Sequence, residues 1–443
     1  MRISVIGVGH VGLVSAAAFA LWGHDVVGMD DDADRIAGLR DGVMPFFEPG
    51  LEELVEEGAE AGRLRFVGEL VEAVEHAEVV FVCVGTPPLP GGGPNLSFVE
   101  AVGRGVAQHA TRELVLVEKS TVPANTGRRL AQVISHELTA NGSQHAVHVA
   151  SNPEFLREGV AVDDTLHPDR IVYGTSTSFA QEALRRIYEP VVSAEAIPVV
   201  ETDVPTAELI KHASNAFLAT RLSFINAVAQ ICERVGADVE VVAEGMGYDA
   251  RIGHSFLKAG LGYGGSCFPK DVDAFAHLAR QVGYDFRLLD EVRAINAGQR
   301  DLVLSKLEGE LWNLEGKTVT LLGAAFKPGT DDLREAPAVH LARELVERGA
   351  TVRVYDPVAL DRMAATVEGV VPVDDPVEAC RGAHAAVVAT EWSEVAALTP
   401  EQFLEALTYP VVVDGRNVYD PDKMLDSGIH YHSIGRRSIA SSG

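Results

Sequence analysis

One cysteine, Cys267, lies where a thiol can do chemistry. Residues 262–271 read GYGGSCFPKD, so glycines expose the backbone around this thiol and give it no apolar face to pack against. Lys270 and Asp271 follow it, and a nearby cation favours the thiolate that acts as a nucleophile. The remaining cysteines fall in apolar or helix-like segments and carry no such signal: Cys83, Cys232 and Cys380.

Two pairs of polar residues have the spacing to assist such a thiol. Lys211 and Asn215 lie one turn apart in a segment with helical periodicity, where an ammonium and an amide can hold an alkoxide or an oxyanion. Glu154 and Glu158 are four residues apart, so on a helical turn both carboxylates would face the same way. One of the two can accept a proton while the other contacts a ligand.

These groups fit a double oxidation better than a single one. Oxidising an alcohol to an aldehyde needs a base and a hydride acceptor, but no thiol. A thiol becomes useful in the next step, in which it adds to the aldehyde, the adduct loses hydride, and water cleaves the thioester. Cys267 therefore predicts the conversion of an alcohol to a carboxylate in one site.

The first residues predict where the hydride acceptor binds. Residues 7–12 read GVGHVG between a short apolar strand and an Ala-rich helix, the strand-turn-helix setting of a dinucleotide-binding turn. Here Gly7 permits the tight turn, Gly9 lets the backbone approach a pyrophosphate, and Gly12 lets the helix pack against the strand.

The next strand ends at Asp30, an acid placed to accept hydrogen bonds from a ribose. Its charge would repel a 2′-phosphate, so NAD is predicted over NADP. The positive charge of Arg35, five residues further on, is the one feature that would favour the phosphate. Two later strands end near Thr86 and Thr121. Since ligands bind beyond the carboxyl ends of such strands, both threonines are candidates for the nicotinamide side.

The middle of the chain changes from alternating strands to helix. Residues 206–235 have a helical apolar pattern, and its predicted core positions are Leu209, Phe217, Leu222, Ile225, Val228 and Ile231. The last third repeats the pattern of the first, with a strand and turn at 318–323 and a later strand ending at Asp356. The glycine fingerprint is missing there, which predicts a different nucleotide.

The predicted fold class is therefore α/β, with two Rossmann-like doubly wound domains joined by a central helical domain that contains a long helix. The expected boundaries are 1–200 for the NAD domain, 201–310 for the helical domain and 311–443 for the second α/β domain.

Composition excludes several partners. The formal charge of −27 argues against nucleic acid or an anionic membrane. The four dispersed cysteines give neither a disulfide framework nor a zinc ribbon, no metal motif is present, and no apolar run approaches a membrane span. We therefore expect a cytoplasmic protein without a metal.

The chain resembles the UDP-glucose/GDP-mannose dehydrogenase family. The resemblance covers all three regions and rests on motifs at 7–12, 118–123, 152–158, 208–215, 263–271, 326–335 and 414–417. It implies oxidation of UDP-glucose to UDP-glucuronate with two NAD per sugar, and a substrate nucleotide bound by residues 311–443.

The resemblance also implies roles for particular residues. Cys267 would be the nucleophile, Asp271 would assist it, and Glu154 with Thr121 would handle protons through a water. The implied cofactor contacts are Gly7, Gly9, Val11, Gly12, Asp30, Arg35, Thr86, Thr121, Glu158, Lys270 and Arg334. The implied substrate contacts are Glu154, Phe155, Leu156, Lys211, Asn215, Phe256, Leu257, Lys258, Ala259, Gly260, Gly264, Lys327 and Arg416. The resemblance also implies that Arg251 reaches the substrate of a neighbouring subunit, and therefore a homodimer formed through the central helical domain.

Three alternatives stay open at this point. The same chemistry can act on GDP-mannose or a UDP-N-acetylhexosamine, because pocket shape decides the sugar. A two-electron hydroxyacid dehydrogenase can also place Lys and Asn one turn apart, but it explains neither Cys267 nor the second α/β domain. A nucleotide-sugar sensor without activity is disfavoured, since every proposed catalytic position carries a competent side chain.

Overall fold

The computed structural model describes residues 1–90 and 92–436. The chain forms two compact units, here called unit 1 (residues 1–214 and 273–284) and unit 2 (residues 215–272 and from 285 onward). Each unit contains a parallel or mostly parallel sheet covered by helices, which confirms the predicted α/β class with two Rossmann-like sheets.

The sheet of unit 1 is built from short strands whose residues are mostly buried on both faces. Such strands have no polar face to turn to water, so they form the middle layer of an α/β fold. They are β1 (Arg2–Ile6), β2 (Asp25–Met29), β3 (Leu64–Val67), β4 (Val79–Val82), β5 (Leu114–Glu118), β6 (Val147–Ser151), β7 (Ile171–Thr175) and β8 (Val199–Thr202).

Strand order creates the crevice in which a ligand can bind. The order is β3-β2-β1-β4-β5-β6-β7-β8, parallel throughout except for the antiparallel pair of β6 and β7. The chain runs outward in one direction from β1 and in the other from β4, and a doubly wound sheet binds ligands at this switch point. The carboxyl ends of β1, β2, β4, β5 and β6 therefore position those predicted cofactor residues that lie in unit 1.

Helices pack on both faces of this sheet and form two apolar cores with it. They are α1 (His10–Leu21), α2 (Ala33–Arg40), α3 (Leu51–Glu60), α4 (Leu70–His76), α5 (Ser97–His109), α6 (Thr126–Ala140), α7 (Ala161–Leu166) and α8 (Ser178–Glu195).

The helical region predicted for the middle of the chain is confirmed. Its helices are α9 (Val204–Val235), α10 (Val239–Gly247), α11 (Phe268–Gln281) and α12 (Arg287–Leu311). The prediction of the α9 core was right for Ile225, which is fully buried, but wrong for Leu209, Phe217 and Ile231, which are 41%, 64% and 56% exposed. Periodicity identifies an apolar stripe, but it cannot identify what covers that stripe.

Unit 2 contains the second sheet, in the order β11-β10-β9-β12-β13-β14, all parallel. Its strands are β9 (Thr318–Leu322), β10 (Thr351–Tyr355), β11 (Val370–Pro372), β12 (Ala385–Val388), β13 (Val411–Asp414) and β14 (His430–His432). Its helices are α13 (Pro337–Glu347), α14 (Leu360–Thr366), α15 (Pro376–Cys380), α16 (Ser393–Ala396), α17 (Pro400–Ala406) and α18 (Pro421–Asp426).

Among the helices of residues 1–90 and 92–436, none combines the length and the apolar composition needed to cross a lipid bilayer.

Candidate functional site

The glycine-rich turn of unit 1 has the shape that a dinucleotide requires. It joins β1 to α1, and a Cβ added at Gly12 would lie 1.8 Å from the carbonyl oxygen of Gly7, so only glycine fits there. A Cβ added at Gly9 would meet nothing within 4 Å. The open space at Gly9 adjoins the start of α1, and the amino terminus of a helix favours phosphate groups.

Asp30 follows β2 and is 7% exposed. Its Oδ2 accepts hydrogen bonds from the backbone N–H of Val8 and from the Arg35 guanidinium, both at 2.9 Å. The carboxylate is thus fixed beside the glycine-rich turn, and Arg35 is held as its ion-pair partner. This pairing reduces the positive charge that Arg35 alone would offer to a 2′-phosphate, which supports the predicted preference for NAD.

Glu154 and Lys211 form a buried ion pair in unit 1. Their Oε1 and Nζ atoms are 3.0 Å apart, and their side chains are 7% and 3% exposed. Glu154 also accepts a hydrogen bond from the backbone N–H of Leu156 at 2.8 Å, and the Lys211 ammonium lies 5.4 Å from the centre of the Phe155 ring. A carboxylate and an ammonium are therefore held together within a largely water-free environment.

The segment that carries Glu154 and Glu158 is not a helix. Residues 152–157 are irregular, so the helical-turn interpretation of their four-residue spacing was wrong. Both acids are nevertheless buried. The segment is tied down by Glu48, whose carboxylate accepts hydrogen bonds from the backbone N–H groups of Gly159 and Ala161, both at 2.7 Å. Sequence reasoning missed Glu48, because its partners lie more than 100 residues further along the chain.

The two threonines predicted to lie near the nicotinamide are brought together. Thr86 is buried and its hydroxyl donates a hydrogen bond to the carbonyl oxygen of Thr121 at 3.0 Å. The pair joins the loops after β4 and β5, as expected for strands whose carboxyl ends meet at one edge of the sheet.

In unit 2, Cys267 immediately precedes α11. Its carbonyl oxygen accepts the hydrogen bond from the Asp271 N–H at 2.9 Å, so the thiol sits at the amino terminus of the helix. The positive end of the helix dipole stabilises negative charge at that point. The other cysteines lack this setting, since burial raises the pKa of Cys83 and of Cys380 to about 12 and keeps both thiols protonated.

Asp271 connects two predicted site residues of unit 2. It is fully buried, and its Oδ2 accepts a hydrogen bond from the Asn215 amide at 2.6 Å. Its Oδ1 accepts one from the Lys270 ammonium, also at 2.6 Å. The hydrogen bond thereby holds the Asn215 side chain at Asp271, which lies one helical turn after Cys267.

The loop before Cys267 is held by two amide side chains that sequence reasoning missed. Asn226 of α9 accepts a hydrogen bond from the Gly260 N–H at 2.8 Å. Asn296 of α12 accepts one from the Tyr263 N–H at 2.8 Å and donates one to the Tyr263 carbonyl at 3.0 Å. Asn226 interrupts the apolar face beside Ile225, which is the one signal that could have identified it.

Close backbone approach fixes the same loop against the second sheet. A Cβ on Gly264 would lie 2.2 Å from the carbonyl oxygen of Glu335, so this position requires glycine. The Arg416 guanidinium donates to the carbonyl oxygens of Ala389, Gly262 and Phe326 at 2.7, 3.1 and 3.1 Å. Arg416 thus joins three separate segments of unit 2 around the predicted substrate loop.

The remaining predicted residues of unit 2 differ in exposure. Leu257 and Ala259 are buried, whereas Lys258 is exposed. The Arg334 guanidinium pairs with Asp332 at 2.7 Å. Arg251 pairs with Asp249, and its side chain is 88% exposed. Phe256 adopts a positive φ of 60° and its ring lies 6.1 Å from that of Phe268. Lys327 lies at the start of the loop after Phe326, with its ammonium 5.5 Å from the Phe326 ring.

Comparisons with known proteins agree on one family for all three parts of the chain. Residues 1–192 match the NAD binding domain of the UDP-glucose/GDP-mannose dehydrogenase family, residues 205–298 its central domain, and residues 320–421 its UDP binding domain. A UDP-glucose 6-dehydrogenase of Bacillus subtilis is 42% identical over 444 residues, covering 100% of this chain and 99% of that protein.

Solved structures agree as well. A UDP-glucose dehydrogenase from Pyrobaculum islandicum superimposes with a TM-score of 0.91 at 39% identity, covering 98% of each chain. A UDP-D-ManNAc dehydrogenase from Pyrococcus horikoshii gives a TM-score of 0.87 at 28% identity, covering 98% of this chain and 99% of that chain.

The ribose role predicted for Asp30 can be tested through the cofactor preference of a variant. Asp30→Ala would remove the predicted ribose acceptor and release Arg35 from its ion pair, so that its guanidinium could bind a 2′-phosphate. We expect the ratio of kcat/KM for NAD to that for NADP to fall by about 10- to 100-fold, the effect of one charge-assisted hydrogen bond. Steady-state kinetics with each cofactor measure this ratio. The exposed neighbour Asp31→Ala is the matched control, and an equal ratio in both variants would contradict the assignment.

Proposed function

The chain belongs to the UDP-glucose/GDP-mannose dehydrogenase family, and from that premise we propose that it oxidises UDP-glucose to UDP-glucuronate with two NAD per sugar. It is an NAD-dependent oxidoreductase. The observation that carries the four-electron reaction is Cys267 at the amino terminus of α11, beside Asp271 and Asn215. The choice of sugar is supported by two relatives named for UDP-glucose at 42% and 39% identity.

The first oxidation needs a proton acceptor and a hydride acceptor. NAD, bound at the turn of residues 7–12, accepts one hydride in each of the two oxidations. We assign the proton to Glu154 and Thr121, acting through a water. The Lys211 ammonium, 3.0 Å from Glu154, holds the alkoxide as the alcohol loses its proton. Loss of the proton and the hydride converts the primary alcohol of the sugar to an aldehyde.

The second oxidation needs the thiol. The thiolate of Cys267 adds to the aldehyde carbon, a C–S bond forms, and Lys211 and Asn215 stabilise the resulting oxyanion. Loss of a hydride from the same carbon leaves a thioester, and a second NAD held at the turn of residues 7–12 would supply the acceptor for it. Water adds to the thioester carbon and the C–S bond breaks, releasing the carboxylate and regenerating the thiolate. We assign Asp271 the task of keeping the Asn215 amide in position through their 2.6 Å hydrogen bond.

We assign substrate binding in unit 2 to the loop of residues 256–264 and to Lys327 and Arg416. Lys327 and the exposed Lys258 supply positive charge for a diphosphate. Arg416 acts through the loop, because its guanidinium holds the carbonyl groups of Gly262 and Phe326. Cofactor contacts are assigned to Val11, Thr86, Glu158, Lys270 and Arg334.

We keep the three domain boundaries predicted from the sequence, with domains at 1–200, 201–310 and 311–443.

We also propose a homodimer formed through α9. Phe217, Phe224 and Ile231 are 64%, 51% and 56% exposed and follow one another at intervals of seven residues, so they form one apolar stripe along the helix. A stripe of this kind is buried when a second helix packs on it. Arg251 is assigned to the substrate of the neighbouring subunit, which agrees with its 88% exposed side chain.

Replacement of the thiol should separate the two oxidations. In Cys267→Ser the weaker nucleophile cannot capture the aldehyde, so we expect acid formation to slow by at least about a hundredfold. The NADH formed per UDP-glucose consumed should fall from two towards one, because oxidation to the aldehyde alone reduces one NAD. The buried Cys232→Ser is the matched control and should keep two.

Wild-type stoichiometry tests the function itself. The protein is assayed with UDP-glucose, GDP-mannose and UDP-N-acetylhexosamines, and NADH is counted per sugar. Two NADH with UDP-glucose, and the highest kcat/KM for that sugar, support the proposal. One NADH per molecule oxidised would favour the two-electron hydroxyacid alternative.

A charge in the apolar stripe should dissociate the dimer. Phe224→Glu places two carboxylates at an interface with two-fold symmetry, and we expect the dissociation constant to rise by about a hundredfold or more. Light scattering across a concentration series measures this change. Val282→Glu, at a 72% exposed apolar residue outside the stripe, is the matched control. A wild-type monomer, or equal association of both variants, would overturn the proposed interface.

A further inference from the structure

Two glutamates of unit 1 are buried near one another, and the mechanism above uses neither of them. A Cβ added at Gly127 would lie 2.7 Å from Oε2 of Glu118 and 3.4 Å from Oε1 of Glu208, so both carboxyl groups adjoin this glycine. Glu118 ends β5 and is 1% exposed, and Glu208 lies in α9 and is 2% exposed. Burial and the neighbouring charge of Glu208 raise the pKa of Glu118 well above its usual value. Burial also raises the pKa of Glu208, although hydrogen bonds from two backbone N–H groups oppose this.

The hydrogen-bond donors around the two acids are distributed unequally. Glu208 accepts from the Asn125 N–H through Oε2 at 2.6 Å and from the Gly127 N–H through Oε1 at 2.7 Å. Neither carboxyl oxygen of Glu118 has a hydrogen-bond donor among residues 1–90 and 92–436. An ionised Glu118 would therefore be a buried charge with no donor, next to a second carboxylate, which is very unfavourable. A protonated Glu118 can instead donate its proton to Glu208.

We propose that Glu118 carries a proton and shares it with Glu208, so that the two side chains act as one acid pair that positions Thr121 and Lys211. The pair is a positioning device and touches neither substrate nor cofactor. Its positioning role rests on the function proposed above, whereas the shared proton does not.

The loop that carries Thr121 is held at both ends by this pair. It begins directly after Glu118 and ends at Asn125, whose N–H donates to Glu208. Between these ends, the His212 ring is 2.9 Å from the Val122 carbonyl oxygen, and Thr86 donates to the Thr121 carbonyl. Ionisation of both acids would place two neighbouring negative charges at the two ends of the loop, and their repulsion would push these ends apart.

The same pair fixes the turn of α9 that carries Lys211. Glu208 precedes Lys211 by three residues, so both side chains extend from one face of the helix. The contact from Glu208 to the start of α6 prevents that turn from shifting relative to the sheet. Lys211 can then keep its 3.0 Å contact with Glu154.

The charged groups around the pair have other partners. Arg128 of α6 lowers the pKa of Glu208 slightly and donates to the Asn125 side chain. The Lys119 ammonium, next after β5, donates to Asn152 and Tyr188. On α9, Lys211 pairs with Glu154, and His212 contacts the Val122 carbonyl.

A raised folded-state pKa fixes the sign of the pH dependence. The folded protein binds the proton of Glu118 more tightly than the unfolded chain does. The resulting stabilisation is complete below the ordinary pKa of a glutamate and is lost as the pH rises towards the higher folded-state pKa. Stability should therefore decline from about pH 5 upward because of this pair alone.

Glu118→Gln tests the pair, because the amide keeps the donor but cannot ionise. We expect the Tm of this variant to rise relative to wild type by about 2 °C or more between pH 5.5 and pH 8.5, measured on the ligand-free full chain. The kcat ratio of variant to wild type should rise over the same range. In Glu208→Gln an amide NH2 faces a backbone N–H, so we expect the Tm to fall at every pH.

Glu182→Gln, at an exposed residue of α8, is the control, and its Tm difference from wild type should not change with pH. If the Tm difference between Glu118→Gln and the wild type also stays constant with pH, the proposal that the two acids share a proton is wrong. Should this variant fail to fold, infrared spectroscopy of the wild type decides: a protonated carboxyl band persisting at pH 6.5 supports the pair, and its absence overturns it. These readouts need no substrate, so the acid pair and the proposed enzymatic function can fail separately.

Discussion

The buried ion pair of Lys211 and Glu154 is the constraint on which unit 1 depends. Removing one partner of such a pair leaves an uncompensated buried charge and costs about 3–5 kcal/mol. The two side chains, at most 7% exposed, must therefore stay in register even though one is on a helix and the other on an irregular loop. Much of the surrounding hydrogen bonding maintains this register: Leu156 donates to Glu154, and Glu48 anchors the segment that follows.

In unit 2 the buried carboxylate of Asp271 also holds neighbouring polar side chains in place. Asp271 has no exposed surface and satisfies its two oxygens with one amide, Asn215, and one ammonium, Lys270. Because Asp271 also belongs to the first turn of α11, these contacts fix the start of the helix at which Cys267 lies. In each unit a buried acid thus determines where a group suited to stabilise an oxyanion is held, Lys211 in one case and Asn215 in the other.

The structural features that the sequence predicted best are local ones. The turn of residues 7–12 and Asp30 belong to one strand-turn-helix-strand unit, so spacing along the chain is enough to identify them. The failures concern contacts between distant residues. The exposed residues Phe217 and Ile231 were predicted to lie in the core because periodicity identifies an apolar face of a helix but not what covers that face. Glu154 and Glu158 were predicted to lie on a helical turn, whereas the structure buries both on a loop. This loop is held by Glu48, which is distant in the sequence.

Asp30 and Asp356 show how far the two similar sheets have diverged. Both acids follow the second strand of a doubly wound sheet, so their position after a strand does not by itself distinguish them. Asp356, however, accepts hydrogen bonds from four backbone N–H groups and from the Trp392 indole. These five hydrogen bonds use the Asp356 carboxylate to stabilise the surrounding turns. Asp30 accepts three hydrogen bonds, and one of them comes from the partly exposed side chain of Arg35. The second sheet therefore retains the architecture of a dinucleotide site without its ribose acceptor, which agrees with a UDP binding domain in this part of the chain.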